Sequence, residues 1–527
     1  MHNLADGLDT SVPAINVAAG STPASENFIV RDGAIEPRPT LSLFSNYPQI
    51  LGVGPVVGVS EMVSTVNTPF PIASGRTAHA VYNRSNAVGD WSLLSYVAAA
   101  GIEDPPNLNT GDYWDYTQVY SAENDENMLY MAAGSYQTMY VTVADSAVFS
   151  SMTAAPRAKF VATLDNYVVA FNTREGSQDL IQRVRWNDRG SASSWTGGLS
   201  GFEDLLSMRG AGTRIMAQDN ALVLFSDEEV WRGTPGNSVF QWNFAPYDQS
   251  RGAPYSWTVA QTPVGLMFLG KDFQVYLLPK GGGPSQPIGQ RLQREIRTTI
   301  QRPERAWAAF DNTYGQYKLF YSTNASKYPQ KAAFLDVGTG AWTPQSYDSA
   351  GGGIELTMGR EVQRLSSSAT SWGGLFASGV TWGGLVNFSW DDMGANGPTL
   401  KVMMMGSSTG TLYKENSTGT NDNGTAMPCR YRTPGLLADD PYEQKSVREM
   451  RLVYQSDSRS SVTASYSQTV GATSVLSAGL SLVTTSVASQ EISDVYFGAR
   501  YPTVELSSEG FRYRLIQMFV TYTRGGR

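Results

Sequence analysis

One unit recurs along this chain: a short apolar strand, a polar or glycine turn, and a second strand ending in tyrosine or tryptophan. Ala221-Leu-Val-Leu-Phe-Ser-Asp-Glu-Glu-Val-Trp231 is one copy, and Gly265-Leu-Met-Phe-Leu-Gly-Lys-Asp-Phe-Gln-Val-Tyr276 another. Further copies lie at 78–82 (closing near Trp91), 128–143, 161–186, 317–342 and 400–413. They are spaced roughly 35–55 residues apart, which suits four-stranded propeller blades. One such sheet cannot bury both of its faces alone. Radial stacking covers them and leaves only short edges. The pattern predicts an all-β chain with a six- or seven-bladed β-propeller-like body over residues 46–425. A pair of sandwich sheets with irregular hairpins is the competing arrangement.

The flanks read differently. Residues 1–45 are expected to form an extended arm packing with the C-terminal domain. Asp32-Gly33 is a hairpin signal within it, and Pro37 and Pro39 stop the strand. Residues 426–527 predict a smaller β-sandwich-like domain that makes ring or adaptor contacts. The segments 446–454, 461–466 and 511–522 alternate there, and the Ser/Thr-rich 467–490 reads as a long hairpin or exposed loop. Gly289–Ile300 is the best helix candidate, with Leu292, Ile296 and Ile300 at four-residue spacing. A Trp-rich insertion, 366–395, carries Trp372, Trp382 and Trp390. It reads as a Trp-anchored meander, with a sugar-stacking platform as the alternative.

Composition narrows the functional classes. Net charge is −8 with only 16% charged residues and no Lys/Arg-rich block, which argues against nucleic-acid binding through a basic patch. Cys429 is the one cysteine, so no intrachain disulfide forms. The N-terminus does not read as a signal peptide, and no apolar run approaches the ~20 residues needed to span a bilayer. The two histidines are His2 and His79. His79 lies in a core-like strand and reads as structural. There is no Cys/His zinc spacing and no phosphate loop. The residues therefore predict no enzyme, no cofactor and no metal, although carboxylates are numerous enough to leave a glycosidase pair open.

Two resemblances bear on function. Propeller sialidases carry turn motifs of the form Ser-x-Asp-x-Gly-x-Thr-Trp. Asp188 to Trp195 and Asp336 to Trp342 are similar, but each Trp falls too late and the Ser/Thr before Asp is missing. A broader set of phrases resembles the tail nozzle (tubular or stabilisation) proteins of short-tailed bacteriophages. These are Asn27 to Pro39, 155–162 leading into 167–171, Arg183-Val-Arg-Trp-Asn-Asp188 with Ser194-Trp-Thr196, and Gly252-Ala-Pro254. Trp372, Trp382 and Trp390, then 445–454 and Gly498-Ala-Arg500, complete it. Arg183, Arg185, Trp186, Asp188 and Trp195 form its structural motif. Asn187 stands where serine is expected, and Trp-Gly-Gly where Trp-Asp-Asp is commoner.

The resemblance implies a virion tail protein assembled in the host cytoplasm. It would form a hexameric ring below an adaptor (head-to-tail) protein and contact tail needle, fibre or spike proteins. Double-stranded viral DNA would pass through without specific binding, and there would be no membrane-spanning segment. The family supplies no catalytic residues. A receptor-binding or glycan-cleaving propeller tail component is the alternative, and a cellular propeller interaction module a third class.

Overall fold

The computed structural model describes the chain apart from residues 1, 4, 46–48, 50, 66–68, 84–89, 98–107, 109–110, 124, 135, 143–147, 237–240, 326, 349–352, 366–398, 436–443, 457–459, 469–475, 483–486, 493–496, 500 and 525–527. Seven sheets among the described residues follow one another along the chain, antiparallel except where Ser95–Val97 pairs in parallel with Val148–Ser151 in the second. Their inner strands are Gly58–Val63, Asp115–Ser121, Arg157–Leu164, Gly212–Gln218, Ala260–Thr262, Trp307–Asp311 and Leu356–Leu365. Neighbouring inner strands touch around a ring, with the 3-10 turn Ser256–Thr258 set between the fourth and the sixth. The body is a seven-bladed propeller.

The third blade shows why these residues make a blade. Phe160, Ala162, Val169 and Phe171 face one neighbour, together with Ile215, Leu222 and Trp231 of the fourth blade. Ala158, Val161, Val168 and Ala170 face the other, together with Val119 and Tyr130 of the second. A period of two sends successive side chains to opposite faces, and both faces are buried. The hairpins between inner strand and next strand use Asp165-Asn166 and Asp219-Asn220, all four at positive φ (49°, 61°, 51° and 55°). This is the double left-handed turn whose twist matches the strands.

Two closures complete the architecture. The seventh blade takes its outer strand from near the N-terminus: Thr40–Leu43 pairs with Leu412–Asn416, Tyr413 opposite Leu43. Beyond it lies a two-sheet sandwich. Phe28–Arg31 and Ala34–Pro37, joined by the Asp32-Gly33 turn, sit beside Tyr513–Arg524 and Lys445–Ser456. The facing sheet runs Ala24–Glu26, Pro428–Arg432, Thr503–Glu509, Ser460–Ser467, Leu476–Leu482. The first 45 residues thus divide between the sandwich, the last blade and a segment lying on the sixth, where the Leu8 amide donates to the Trp342 carbonyl at 2.7 Å.

Within 467–490, expected as a long hairpin or exposed loop, the described residues form a hairpin strand and a second strand. Leu476–Leu482 pairs with Ser460–Ser467, and Ala488–Ile492 pairs with Lys445–Ser456 in the opposite sheet. Leu480 and Leu482 are buried, so two leucines outweigh a serine- and threonine-rich composition. The helix forms at Gln290–Thr299 with Leu292 and Ile296 buried.

Candidate functional site: the propeller channel

The sequence motif of the third blade is a framework corner. Arg183 holds Asp204 through Nε and Nη2, both at 2.7 Å, and lies 4.1 Å over the Phe202 ring. Arg185 Nη1 is 2.9 Å from the Glu175 carboxylate, and its Nη2 donates to the Trp195 carbonyl. Asp188 accepts from the amides of Arg189 and Leu199. Trp186 donates Nε1–H to the Leu199 carbonyl and packs toward the fourth blade, whereas Trp195 packs toward the second. The corner therefore pins the third blade to both neighbours. Asn187 completes it: its Oδ1 accepts the Val168 amide at 2.6 Å while Nδ2 donates to the Ser191 carbonyl. Trp372, Trp382 and Trp390 lie outside the described residues.

His79 is fully buried between Trp114 and Phe149, with Nδ1 2.6 Å from Ser74 Oγ. Burial pulls it down to about 3, which keeps the ring neutral. No group of His, Cys, Asp and Glu with metal-holding geometry occurs among the described residues. No described helix is long and apolar enough to cross a membrane.

The inner strands enclose a channel with a cavity of about 590 Å³. Three of its charged groups come from strands about 100 residues or more apart along the chain. Asp115 begins the second inner strand, Arg214 lies in the fourth and Arg360 in the seventh. Arg214 Nη1 lies 2.8 Å from Asp115 Oδ1, and its guanidinium lies 4.8 Å over the Trp257 ring. Asp115 also accepts the amides of Tyr116 and Val161, both at 3.0 Å. Burial pushes the Asp115 carboxyl above its usual range, and Arg214 and the two amides oppose this. Trp257 is packed by Tyr113 and Phe160, with centroids 5.4 and 6.1 Å away.

Several other polar groups of the wall are matched internally. Tyr116 donates its hydroxyl to Ser74 Oγ, Thr117 donates to Thr163 Oγ1, and Glu361 accepts from the Asn312 amide. Arg360 differs. Its side chain is open to the lumen yet ringed by protein, and among the described residues its one direct polar contact is from Nη1 to Ser60 Oγ at 3.5 Å. Enclosure pulls this guanidinium below its usual value. Glu61 opposes the shift and Arg214 reinforces it. Residue-by-residue inspection of the sequence missed Arg360, because a lone arginine in a strand carries no motif. Only ring closure makes it a neighbour of Arg214.

No described protein family and no curated protein sequence matches the chain. Solved structures do. An exo-beta-1,3-galactanase from Phanerochaete chrysosporium is 9% identical with a TM-score of 0.29, over 92% of this chain and 100% of that one. BamB from Moraxella catarrhalis is 9% identical at a TM-score of 0.32, over 68% and 98%. A glycoside hydrolase family 43 arabinoxylan arabinofuranohydrolase from Bacillus subtilis is 10% identical at a TM-score of 0.24, over 99% of each. The expectation that the chain is not an enzyme is corrected on this point: chains it is similar to include glycoside hydrolases. At these identities the likeness concerns fold alone and assigns no activity or substrate. The strand order itself shows an all-β, propeller-like chain.

Proposed function

We propose that this chain is a structural tail component of a bacteriophage, a nozzle subunit that assembles into a ring below the adaptor and extends the passage for DNA. The ordered sequence phrases support the reading, and so does one surface. The outer strand of the third blade, Gly201–Asp204, is the free edge of its sheet. It bears Phe202, 55% exposed, beside Leu206, 83% exposed, with Leu199 and Ile181 also open. A free edge with large apolar side chains invites pairing or burial, and a second copy of the chain in a ring would cover it. The phrases of the resemblance occupy framework positions, including the Asp32-Gly33 hairpin, the Arg183–Trp195 corner and the strand Lys445–Ser456.

Phage made without the protein should package DNA but leak it or fail to infect, and the purified chain should restore them. Electron microscopy of the purified chain should show rings, and a Phe202→Asp, Leu206→Asp double variant should not form them. Fully infectious particles lacking the protein would rule the role out.

A second reading, a receptor-binding or glycan-cleaving tail component, is favoured by the enclosed channel carrying Asp115, Arg214 and Trp257. Turnover of capsular polysaccharide by the purified chain, lost in Asp115→Asn, would select it.

A further inference from the structure

We infer that the propeller channel is a binding site for a small oxyanion-bearing ligand, a carboxylate or a phosphate, received by Arg360 with Arg214 beside it. The inference rests on the channel alone and holds whether or not the chain forms a ring.

Three observations carry it. First, the cation is available. Among the described residues no carboxylate lies within ion-pair distance of Arg360, whereas Arg214 is already held by Asp115. An arginine presents five donors and no acceptor. Among the described residues Arg360 uses one, on Ser60 at the long distance of 3.5 Å. Second, the surrounding acceptors are occupied. Asp115 has Arg214 and two amides, Glu361 has Asn312, and Glu61 Oε2 accepts the Gln363 amide. Third, there is room: about 590 Å³ lies within the size range of small-molecule sites.

Electrostatics agree with the geometry. Arg360 reaches the lumen water yet is ringed by protein, so it is less well hydrated than a surface guanidinium, and a counter-charge in the same cavity would compensate. Arg360 and Arg214 raise each other's cost, and an oxyanion between them would relieve it. A planar guanidinium meets carboxylate or phosphate in bidentate fashion. Trp257 lines the cavity and is backed by Tyr113, so the organic part of such a ligand would have an apolar surface to lie on. Glu61 and Asp115 should both work against binding, since their charges compete for Arg360, but Asp115 is already held by Arg214.

The test uses the full chain. Inorganic phosphate, glucuronate and neutral glucose are titrated by calorimetry and by thermal shift, against sodium chloride at matched ionic strength. Phosphate or glucuronate should bind saturably within about 10 mM, with glucose much weaker. The better of the two identifies the anionic group. Arg360→Gln should lose affinity about tenfold or more, the scale of one charge-assisted contact. Glu61→Gln should bind more tightly than the wild type, and this variant decides the matter should Arg360→Gln fail to fold. The inference is overturned if neither anion binds the wild type, if Arg360→Gln binds as the wild type does, or if Glu61→Gln binds no better.

Discussion

The Lys318 ammonium lies 2.7 Å from the Glu415 carboxylate, so a residue of the sixth blade is ion-paired to one of the seventh. Asp311 approaches the same ammonium at 2.6 Å, and all three side chains are almost sealed from solvent. Two carboxylates thus share one cation in a dry setting. Burial pushes Glu415 up to about 7, while the Lys318 charge overcomes burial at Asp311 and holds it below its usual value.

The sign of the pH effect follows. Glu415 has a folded value above its unfolded 4.5, so its contribution is complete below that pH and disappears as pH rises through about 7. Asp311 works oppositely, and only in acid. Stability of the wild type should therefore fall by on the order of 1–3 kcal/mol between pH 5 and 8. Glu415→Gln should flatten that slope. Urea midpoints measured at intervals across the window check this, and equal slopes for the two proteins would refute it.

Arg38 is the joint between propeller and sandwich. Its five donors reach Asn27 Oδ1, the Pro39 and Ser346 carbonyls, and both oxygens of Asp422, and its guanidinium lies 4.0 Å over the Tyr347 ring. Arg38→Met should cost about 3–5 kcal/mol, because Asp422 is left without its cation in a largely buried place. Chemical denaturation measures the loss. A change below about 1 kcal/mol would mean that water replaces the guanidinium.

Trp186 and Trp195 are 7% and 2% exposed and face opposite neighbours. Each Ala variant should lose about 3–5 kcal/mol. Because the two sites touch different blades, the losses should add in the double variant to within about 0.5 kcal/mol. Thermal unfolding of the two singles and the double tests both statements.

Leu41 is buried in the strand that completes the seventh blade, opposite Glu415. Leu41→Pro removes the amide that donates to Asp422 Oδ1 at 2.8 Å, and it also deletes a core side chain. Limited proteolysis should then cut the seventh blade while the third and fourth survive. Uniform resistance would show that the ring holds without its closing strand.

How much of this was legible depends on distance along the chain. The third blade could be read because Val161 to Phe171 carries its own alternation and its own turn. The closing strand could not: Thr40–Leu43 is four residues long, and its partners lie near residue 414. Leu356–Leu365 went unread as a strand, and Arg360 with it, because Arg-Glu-Val-Gln-Arg offers polar residues where an alternating core was sought. The lumen it faces exists only after seven sheets close. Asn187 is visible in the sequence as a departure from the expected serine. Its bridge between Val168 and Ser191 needed coordinates, since an amide can donate and accept where a hydroxyl of that length cannot reach both.

The pairing of Ile35 with Leu515 has a consequence for synthesis. The first hairpin leaves the ribosome early and finds its sheet only when the last strand follows. At roughly 5–20 residues per second, about half a minute to a minute and a half separates the two events. Through that interval the nascent chain carries an unsatisfied edge and an open ring of blades. Neighbouring ribosomes on one message would hold several such chains close together. Expression at lower temperature or with sparse initiation should therefore raise the yield of soluble chain more than any change to the finished fold.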